Sequence, residues 1–272
     1  MSQLYEERAA TALEELGMSV ASERLDTTAQ RAAAEHWTYS HFLGYLLAGE
    51  LEERHRKRVE LNLQFARFPM LKRLSDFDYS AQPGIDRRLI EELATGRFLH
   101  EGRNLVLLGP PGVGKTHIAI GMGVMTAELG HRVYFTTATE LARKLSAAVE
   151  HNRLHRQICA LTQPKLLIID EVGYLALDAT QASLIFQVIC QRYDRGQSIV
   201  LTSNKAFTEW GDVFCDPVMA SAALDRLLHR CTVVNIRGES YRLKERKAAG
   251  SPPQSEYSAA ILAAQPNAGK EK

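Results

Sequence analysis

The sequence predicts an α/β protein in which a parallel β-sheet is covered by helices on both faces and preceded by a small all-helical domain. Three observations support this prediction. Helical periodicity without strand alternation runs through the first 75 residues. Beyond them, short β-rich runs alternate with helical stretches, and a glycine-rich loop joins the first of these runs to a helix.

The first 75 residues are predicted to form the helical N-terminal domain. After Trp37, their apolar side chains recur at four- or eight-residue steps, as in helices, at Leu43, Leu47, Leu51, Val59 and Leu63. Asp26-Thr27-Thr28 predicts a helix start, because these side chains can cap free backbone N–H groups. Residues 68–84 break the periodicity and are predicted to be a linker.

Five apolar runs are predicted to be the strands of one sheet, within an α/β domain at residues 76–247. Strands that are apolar on both faces are typical of a parallel sheet with helices on both sides. The runs are NLVLL (104–108), RVYFT (132–136), KLLII (165–169), SIVLT (198–202) and TVVNI (232–236). Residues 248–272 are rich in Ala, Ser, Pro and Gly, and we expect them to be disordered.

Composition limits the possible classes of protein. Hydrophobic residues make up 45% and charged residues 24% of the 272, which is ordinary for a globular protein. No apolar run approaches the roughly 20 residues that span a bilayer, and the N-terminus lacks the pattern of a secretion signal. The four cysteines have no CxxC spacing and are predicted to be reduced thiols. We therefore expect a cytoplasmic protein without membrane contact.

The net charge is only +1, but the basic residues are concentrated in three windows. Residues 54–73 contain seven Lys or Arg and one acid, residues 225–247 contain seven and three, and residues 141–157 contain four and one. Such an uneven distribution indicates a local anionic partner rather than general affinity for anions.

The segment Gly109-Pro110-Pro111-Gly112-Val113-Gly114-Lys115-Thr116 matches the phosphate-loop pattern GxxxxGK[ST] and lies between a predicted strand and a predicted helix. Its glycines allow successive N–H groups to point into one concavity, and the helix adds the positive end of its dipole. We expect this loop, extended to His117, to bind ATP. Lys115 would reach the β and γ phosphates, and Thr116 would ligate Mg²⁺.

Polar residues follow the third and fourth predicted strands, at the sheet edge where α/β proteins bind ligands. Asp170 is predicted to bind nucleotide-associated Mg²⁺, and Glu171 to polarise the attacking water. Two acids are needed because metal binding lowers the basicity of the first. Asn204 is predicted to orient the water or contact the γ-phosphate. Phe207 stands where a guanine-reading NKxD motif has its aspartate, which favours ATP over GTP.

These motifs resemble those of the AAA+ ATPases, with Walker A at 109–116, Walker B at Asp170-Glu171 and sensor 1 at Asn204. Four longer stretches resemble the IstB-type helper ATPases of bacterial insertion sequences, which are relatives of the DnaC helicase loader. They are LIIDEVGYLALD, VLTSNKAFTEWGDVF, ALDRLLHR and GESYRLKER. The resemblance covers about residues 1–247, including the N-terminal segment, which is similar to the family's helical adaptor.

The resemblance implies a sheet of order 5-1-4-3-2, ATP-dependent self-assembly into an oligomer on DNA, and partnership with a DDE transposase. It also implies an active site shared between subunits, with Arg226 as the arginine finger and Arg230, one turn later, as the second candidate. The AAA+ lid is expected to be vestigial, since few residues follow Ile236. Arg242 or Lys244 could stand in for the sensor-2 arginine of that lid.

Sequence-tolerant binding of double-stranded DNA is predicted for the region between the second and third strands. Lysines and arginines at helical spacing can follow a phosphate backbone without reading bases, and this region has Arg143, Lys144, Arg153 and Arg156. For the basic run at 54–58, contact with DNA, docking to an acidic surface of the transposase and simple solvation stay open.

Taken together, the sequence predicts a DNA-stimulated ATPase that regulates DNA transposition, assembles on target DNA and recruits or activates a transposase. Two alternatives stay open. A DnaC-like replicative helicase loader would share the core chemistry and differ in its partner. A non-catalytic, nucleotide-gated DNA scaffold would show no stimulation of turnover by DNA.

Overall fold

The computed structural model describes residues 2–238 and 240–241, and the chain divides into a helical unit up to Gln64 and a larger unit from Phe65 onward. The predicted domain boundaries at 75/76 and 247/248 stay predictions. The tail at 248–272 and the sensor-2 candidates Arg242 and Lys244 lie outside the described residues, and so does most of the segment expected to hold a vestigial lid.

Three helices build the first unit, and the last of them continues into the second: α1 (Ser2–Glu15), α2 (Ser19–Ala34) and α3 (Tyr39–Ala66). The start of α2 is capped from far along the chain. The Glu50 side chain on α3 is buried, and its Oε2 accepts the N–H groups of Val20 and Ala21 at 3.0 and 3.3 Å. A carboxylate at this place satisfies free N–H groups and complements the helix dipole.

The helix start predicted at Asp26-Thr27-Thr28 is therefore wrong, because these residues lie inside α2. The Asp26 carboxylate accepts from Gln30 one turn later, and the Thr27 hydroxyl donates to the Arg24 carbonyl at 3.1 Å. Their polar groups are thus satisfied within the helix, and the capping carboxylate comes from a residue thirty positions after Val20.

The second unit contains a five-stranded parallel sheet of order β2-β3-β4-β1-β5, which confirms the predicted order read from the opposite edge. Each strand begins within one residue of its predicted start. The strands are β1 (Asn104–Leu108), β2 (Val133–Thr137), β3 (Leu166–Val172), β4 (Ser198–Ser203) and β5 (Cys231–Asn235).

Helices cover both faces of the sheet. On one face, Leu167 and Ile169 of β3 belong to a core with side chains of α7, α9 and α11, whereas Ile168 packs beside Gly123 of α6 on the other face. The helices of this unit are α4 (Arg87–Leu93), α5 (Arg97–His100), α6 (Lys115–Glu128), α7 (Ala138–Glu150), α8 (Leu154–Leu161), α9 (Ala179–Asp194), α10 (Trp210–Val213) and α11 (Pro217–Leu228). Of the helices in the described part of the chain, none has the length and apolar character required to cross a membrane.

The starts of β3 and β4 are held in place by Arg192, a fully buried side chain near the end of α9. Its guanidinium donates to the carbonyls of Leu161, Pro164, Lys165 and Ser198 at 2.7 to 3.2 Å. These bonds offset the cost of burying the cation and tie the segment before β3 to the first residue of β4. The opposite ends of both strands form the candidate site.

Candidate functional site

The loop at 109–114 leaves the end of β1 and leads directly into α6, as the phosphate-loop motif predicts. Gly109, Gly112 and Gly114 adopt φ values of 151°, 81° and 97°, in the region that disfavours side chains. A Cβ on Gly114 would also lie 2.6 Å from the ring of Phe77. With Lys115 as the first residue of α6, the free N–H groups of the helix start face the same place as the loop.

Lys115 extends back across this loop. Its Nζ donates to the carbonyls of Gly109 and Pro110 at 2.7 and 2.8 Å. The ammonium is thereby held against the backbone at the start of the loop. Within the loop, Val113 is fully buried, and Pro111 and Gly112 form a turn.

A hydrogen-bonded cluster at the carboxyl ends of β3 and β4 lies beside the loop. The Thr116 hydroxyl is 3.0 Å from both carboxylate oxygens of Asp170, which is buried. The buried Thr202 hydroxyl donates to Asp170 Oδ1 at 2.5 Å and accepts the N–H of Glu171 at 3.0 Å. The Thr202 hydroxyl therefore holds both acids of the predicted pair. It contacts the side-chain carboxylate of Asp170 and the backbone N–H of Glu171.

The strand register explains why two neighbouring acids can face different surroundings. Ile169 pairs with Leu201 and Val172 pairs with Ser203, so Asp170 and Glu171 together oppose Thr202 in a β-bulge. Glu171 has φ of 60° and an exposed side chain, whereas Asp170 points into the cluster. The bulge thus separates a buried carboxylate from an exposed one within two residues.

Asn204 follows directly after β4. Its side-chain Oδ1 is buried and has no hydrogen-bond partner among the described residues. The preceding Ser203 is satisfied, since its hydroxyl donates to the Val172 carbonyl at 2.7 Å. An unpaired buried amide oxygen is costly, which makes Asn204 a group with unused hydrogen-bonding capacity at this edge of the sheet.

A cavity of 410 Å³ opens beside the phosphate loop, and one of its walls comes from the segment predicted to be a linker. Phe77, next to a short 3-10 turn at Leu74–Asp76, is part of that wall. The other lining residues are Pro69, Met70, Lys72, Asp76, Asp78, Gln82, residues 112–117, Ile120 and Tyr241.

Sequence reasoning missed the wall at 69–82, although its aromatic and apolar residues were a visible signal. His117 connects this wall to α6. Its Nε2 lies 2.9 Å from the Arg73 carbonyl, and its ring packs edge-on to Phe77 with centroids 5.2 Å apart. The side chain of His117 thus holds the wall in place.

These groups fit a nucleoside triphosphate with Mg²⁺. The glycine cradle and the start of α6 offer N–H groups to phosphate oxygens, and Lys115 adds a cation. The Thr116 hydroxyl and the Asp170 carboxylate provide adjacent oxygen ligands of the kind that Mg²⁺ prefers. The unpaired Asn204 oxygen can accept a hydrogen bond from water or ligand.

Arg226 and Arg230, the two arginine-finger candidates, differ in their surroundings. Arg226 lies on α11, where its guanidinium donates to the Ala222 carbonyl at 3.0 Å and packs 5.4 Å from the ring centroid of Phe186 on α9. Arg230 is exposed just before β5. Within the described residues, the hydrogen bond and ring contact of Arg226 are thus made with α11 and α9 and not with the phosphate loop.

The four residues predicted to contact DNA are divided between α7 and the start of α8. Arg143 and Lys144 on α7 both pair with Glu140, and the hydrogen bonds from Arg143 and then Lys144 lower the pKa of Glu140 to about 2. Arg153 precedes α8 and Arg156 lies on it, both exposed and without an ion-pair partner in the described part of the chain.

The basic run on α3 is largely neutralised within its own helix. Arg54 pairs with Glu50, and Arg56 pairs with Glu53 and Glu60. Lys57 shares Glu53 with Arg56 at 3.4 Å. Pairs of this kind are ordinary helix-surface interactions, and they leave little net charge for an anionic partner.

Comparisons with known proteins agree with the geometry. The family model described as IstB-like ATP binding protein matches residues 11–249. An insertion sequence IS21 ATP-binding protein from Pseudomonas aeruginosa is 46% identical over 238 residues, which are 88% of this chain and 89% of that protein. An IS5376 ATP-binding protein from Geobacillus stearothermophilus is 41% identical over 232 residues, covering 85% and 92% of the two chains.

Among solved structures, a DNA replication initiation factor is similar, with a TM-score of 0.53. It is 20% identical in sequence, and the match covers 74% of this chain and 61% of that one. This likeness supports the AAA+ P-loop fold.

Proposed function

Because the chain belongs to the family of IstB-like ATP binding proteins, we propose that it is an ATPase that regulates the transposition of an insertion sequence. It acts in the cytoplasm, assembles as an oligomer on double-stranded DNA, and recruits or activates a DDE transposase. The observation that most supports ATP chemistry is the Thr116–Asp170–Thr202 cluster beside the glycine cradle. The insertion-sequence relatives support the transposition role.

Each residue of the site has a different role in this proposal. Lys115 binds the β and γ phosphates, while Thr116 and Asp170 hold Mg²⁺, which neutralises phosphate charge when bound. Glu171 is the general base, since its exposed carboxylate is free to accept a proton from water. Asn204 orients that water through its unpaired amide oxygen, or donates to the γ-phosphate through its side-chain NH2 group.

The site is completed by a neighbouring subunit. Arg226 contacts α9 of its own chain and not the phosphate loop, so we assign it to the nucleotide of the next copy. An arginine supplied in this way accelerates phosphoryl transfer by roughly 10³–10⁵. An isolated subunit is therefore expected to be nearly inactive, and stimulation by DNA follows if DNA brings subunits together.

The proposal is tested by nucleotide-dependent assembly of the Lys115→Ala variant. Electron microscopy of wild-type protein with duplex DNA and a non-hydrolysable ATP analogue should show ordered oligomers. Lys115→Ala should show none, because the ammonium that binds the β and γ phosphates is gone. Arg97→Ala, which removes an exposed cation paired with Glu101, serves as the control and should assemble normally. Normal assembly by Lys115→Ala would contradict the nucleotide role.

The partner is tested separately by co-purification. The protein should retain the transposase encoded beside it and not a replicative helicase. Retention of the helicase alone would favour a helicase loader. Turnover that DNA does not change would favour a scaffold in which hydrolysis is incidental.

A further inference from the structure

A second basic surface lies along β2, the strand at one edge of the sheet. The sequence did not predict its residues as a group. Arg132 precedes the strand and Tyr134 lies on it, while Phe65 and Arg67 come from the end of α3 and the residue after it. Lys144 reaches the same place from α7. We call these five residues the β2 surface.

Aromatic rings hold the cations of this surface in position. The Arg67 guanidinium lies 5.9 Å and the Lys144 ammonium 5.5 Å from the ring centroid of Tyr134. Arg132 lies 5.8 Å from the ring centroid of Phe65, and the two rings are 6.2 Å apart. Lys144 also donates to the Tyr134 hydroxyl at 2.9 Å. Cation–π contacts of this kind restrict long side chains while leaving their N–H groups available.

The charge of this surface is less neutralised by carboxylates than that of many other basic residues. Several exposed arginines pair with glutamates, as Arg87 does with Glu91 and Arg97 does with Glu101. Arg67 and Arg132 are exposed and have no ion pair within the described ranges, 2–238 and 240–241. Only Lys144 has a carboxylate, Glu140, which it shares with Arg143. The β2 surface therefore keeps more of its positive charge than the α3 run, where three of the four Lys and Arg residues at 54–58 are paired.

We propose that the β2 surface contacts the phosphate backbone of double-stranded DNA. This inference rests on the proposed function, in which the protein binds DNA. The rings of Phe65 and Tyr134 are engaged by cations, so they do not offer free faces for stacking on unpaired bases. The exposed groups are guanidinium N–H donors, which suit phosphate oxygens and read no sequence. Backbone contact with a duplex therefore matches this surface better than recognition of a single strand.

The experiment measures duplex affinity by fluorescence anisotropy, with a non-hydrolysable ATP analogue present, over a range of salt concentrations. The double variant Arg67→Gln/Arg132→Gln should bind on the order of tenfold more weakly at low salt. Its plot of log affinity against log salt should be shallower by about 1.8, from about 0.9 for each lost phosphate contact. Arg97→Gln/Arg103→Gln, which removes the same charge from residues paired with Glu101, should match wild type.

A second variant tests the role of the ring without changing the charge. Tyr134→Leu should weaken duplex binding while the salt dependence stays near that of wild type, because the cations remain but are no longer held. Thermal unfolding of each variant shows whether the fold persists, and the comparison uses variants that melt as wild type does. Wild-type affinity and slope in the Arg67→Gln/Arg132→Gln variant would overturn this inference alone.

Two other outcomes distinguish failure of the proposed function from failure of this inference. A wild-type protein that binds no duplex would overturn both the proposed function and this inference. Unchanged DNA binding, combined with self-association of the double variant, would instead mean that the arginines protect an exposed strand edge from pairing.

Discussion

Thr202 is the residue that the geometry adds to the predicted site. Its hydroxyl contacts the Asp170 carboxylate and the Glu171 N–H at once, at the point where β3 bulges. The phosphate-loop residues and the acid pair were predictable, because short motifs contain them. Thr202 was visible only as a strand residue, since its partners Glu171 and Asp170 lie 31 and 32 positions earlier in the sequence and on another strand.

Substitution of Thr202 tests whether it positions the two acids. Thr202→Val keeps the size of the side chain and removes the hydroxyl, so Asp170 and Glu171 lose a shared partner. We expect kcat for ATP hydrolysis to fall about 10- to 100-fold, as for other outer-shell partners of metal ligands, with a smaller change in nucleotide affinity. Thr202→Ser should retain most activity. A kcat in Thr202→Val equal to that of wild type would contradict the positioning role.

At the scale of elements, the apolar runs predicted where the strands begin, whereas the helix start predicted at Asp26 was wrong. Strands buried on both faces have few alternatives, so their apolar runs locate the strand starts within a residue, although β3 continues three residues past its predicted end to Val172. The cap of α2 is supplied by Glu50 from another helix, and local sequence contains no trace of it. The wall at 69–82 has visible aromatic and apolar residues, but its contact with the phosphate loop joins segments that are distant in sequence, so local sequence does not locate it.

The contact between the phosphate loop and its wall can be tested at Gly114. Gly114→Ala introduces a Cβ at φ of 97° and against Phe77, which should displace the wall and weaken ATP binding at least tenfold. Gly196→Ala is the matched control, since Gly196 has φ of 60° and open space around it. Both variants should lose about 1–2 kcal/mol of folding stability from the backbone alone. Isothermal titration with ATP measures the affinities, and equal affinities in the two variants would contradict the contact.

At the scale of the whole molecule, the sheet order and the helical first unit agree with the resemblance to insertion-sequence ATPases. The sequence could not show how copies assemble, because subunit contacts depend on surfaces and not on motifs. The structure adds that the Arg226 guanidinium donates to the Ala222 carbonyl and packs on the Phe186 ring of its own chain. A complete site in this account requires two copies, each supplying a different part.

The most direct test of this shared site mixes two inactive variants. Glu171→Gln subunits lack the base but keep Arg226, and Arg226→Ala subunits have the opposite defect. In a random equal mixture, about a quarter of the subunit interfaces combine an intact Glu171 with an intact Arg226. About a quarter of wild-type turnover should therefore return. Mixing Glu171→Gln with Asn204→Ala, whose defects lie on the same side, should restore nothing. Turnover in the first mixture no higher than the average of its separate components would contradict the shared site.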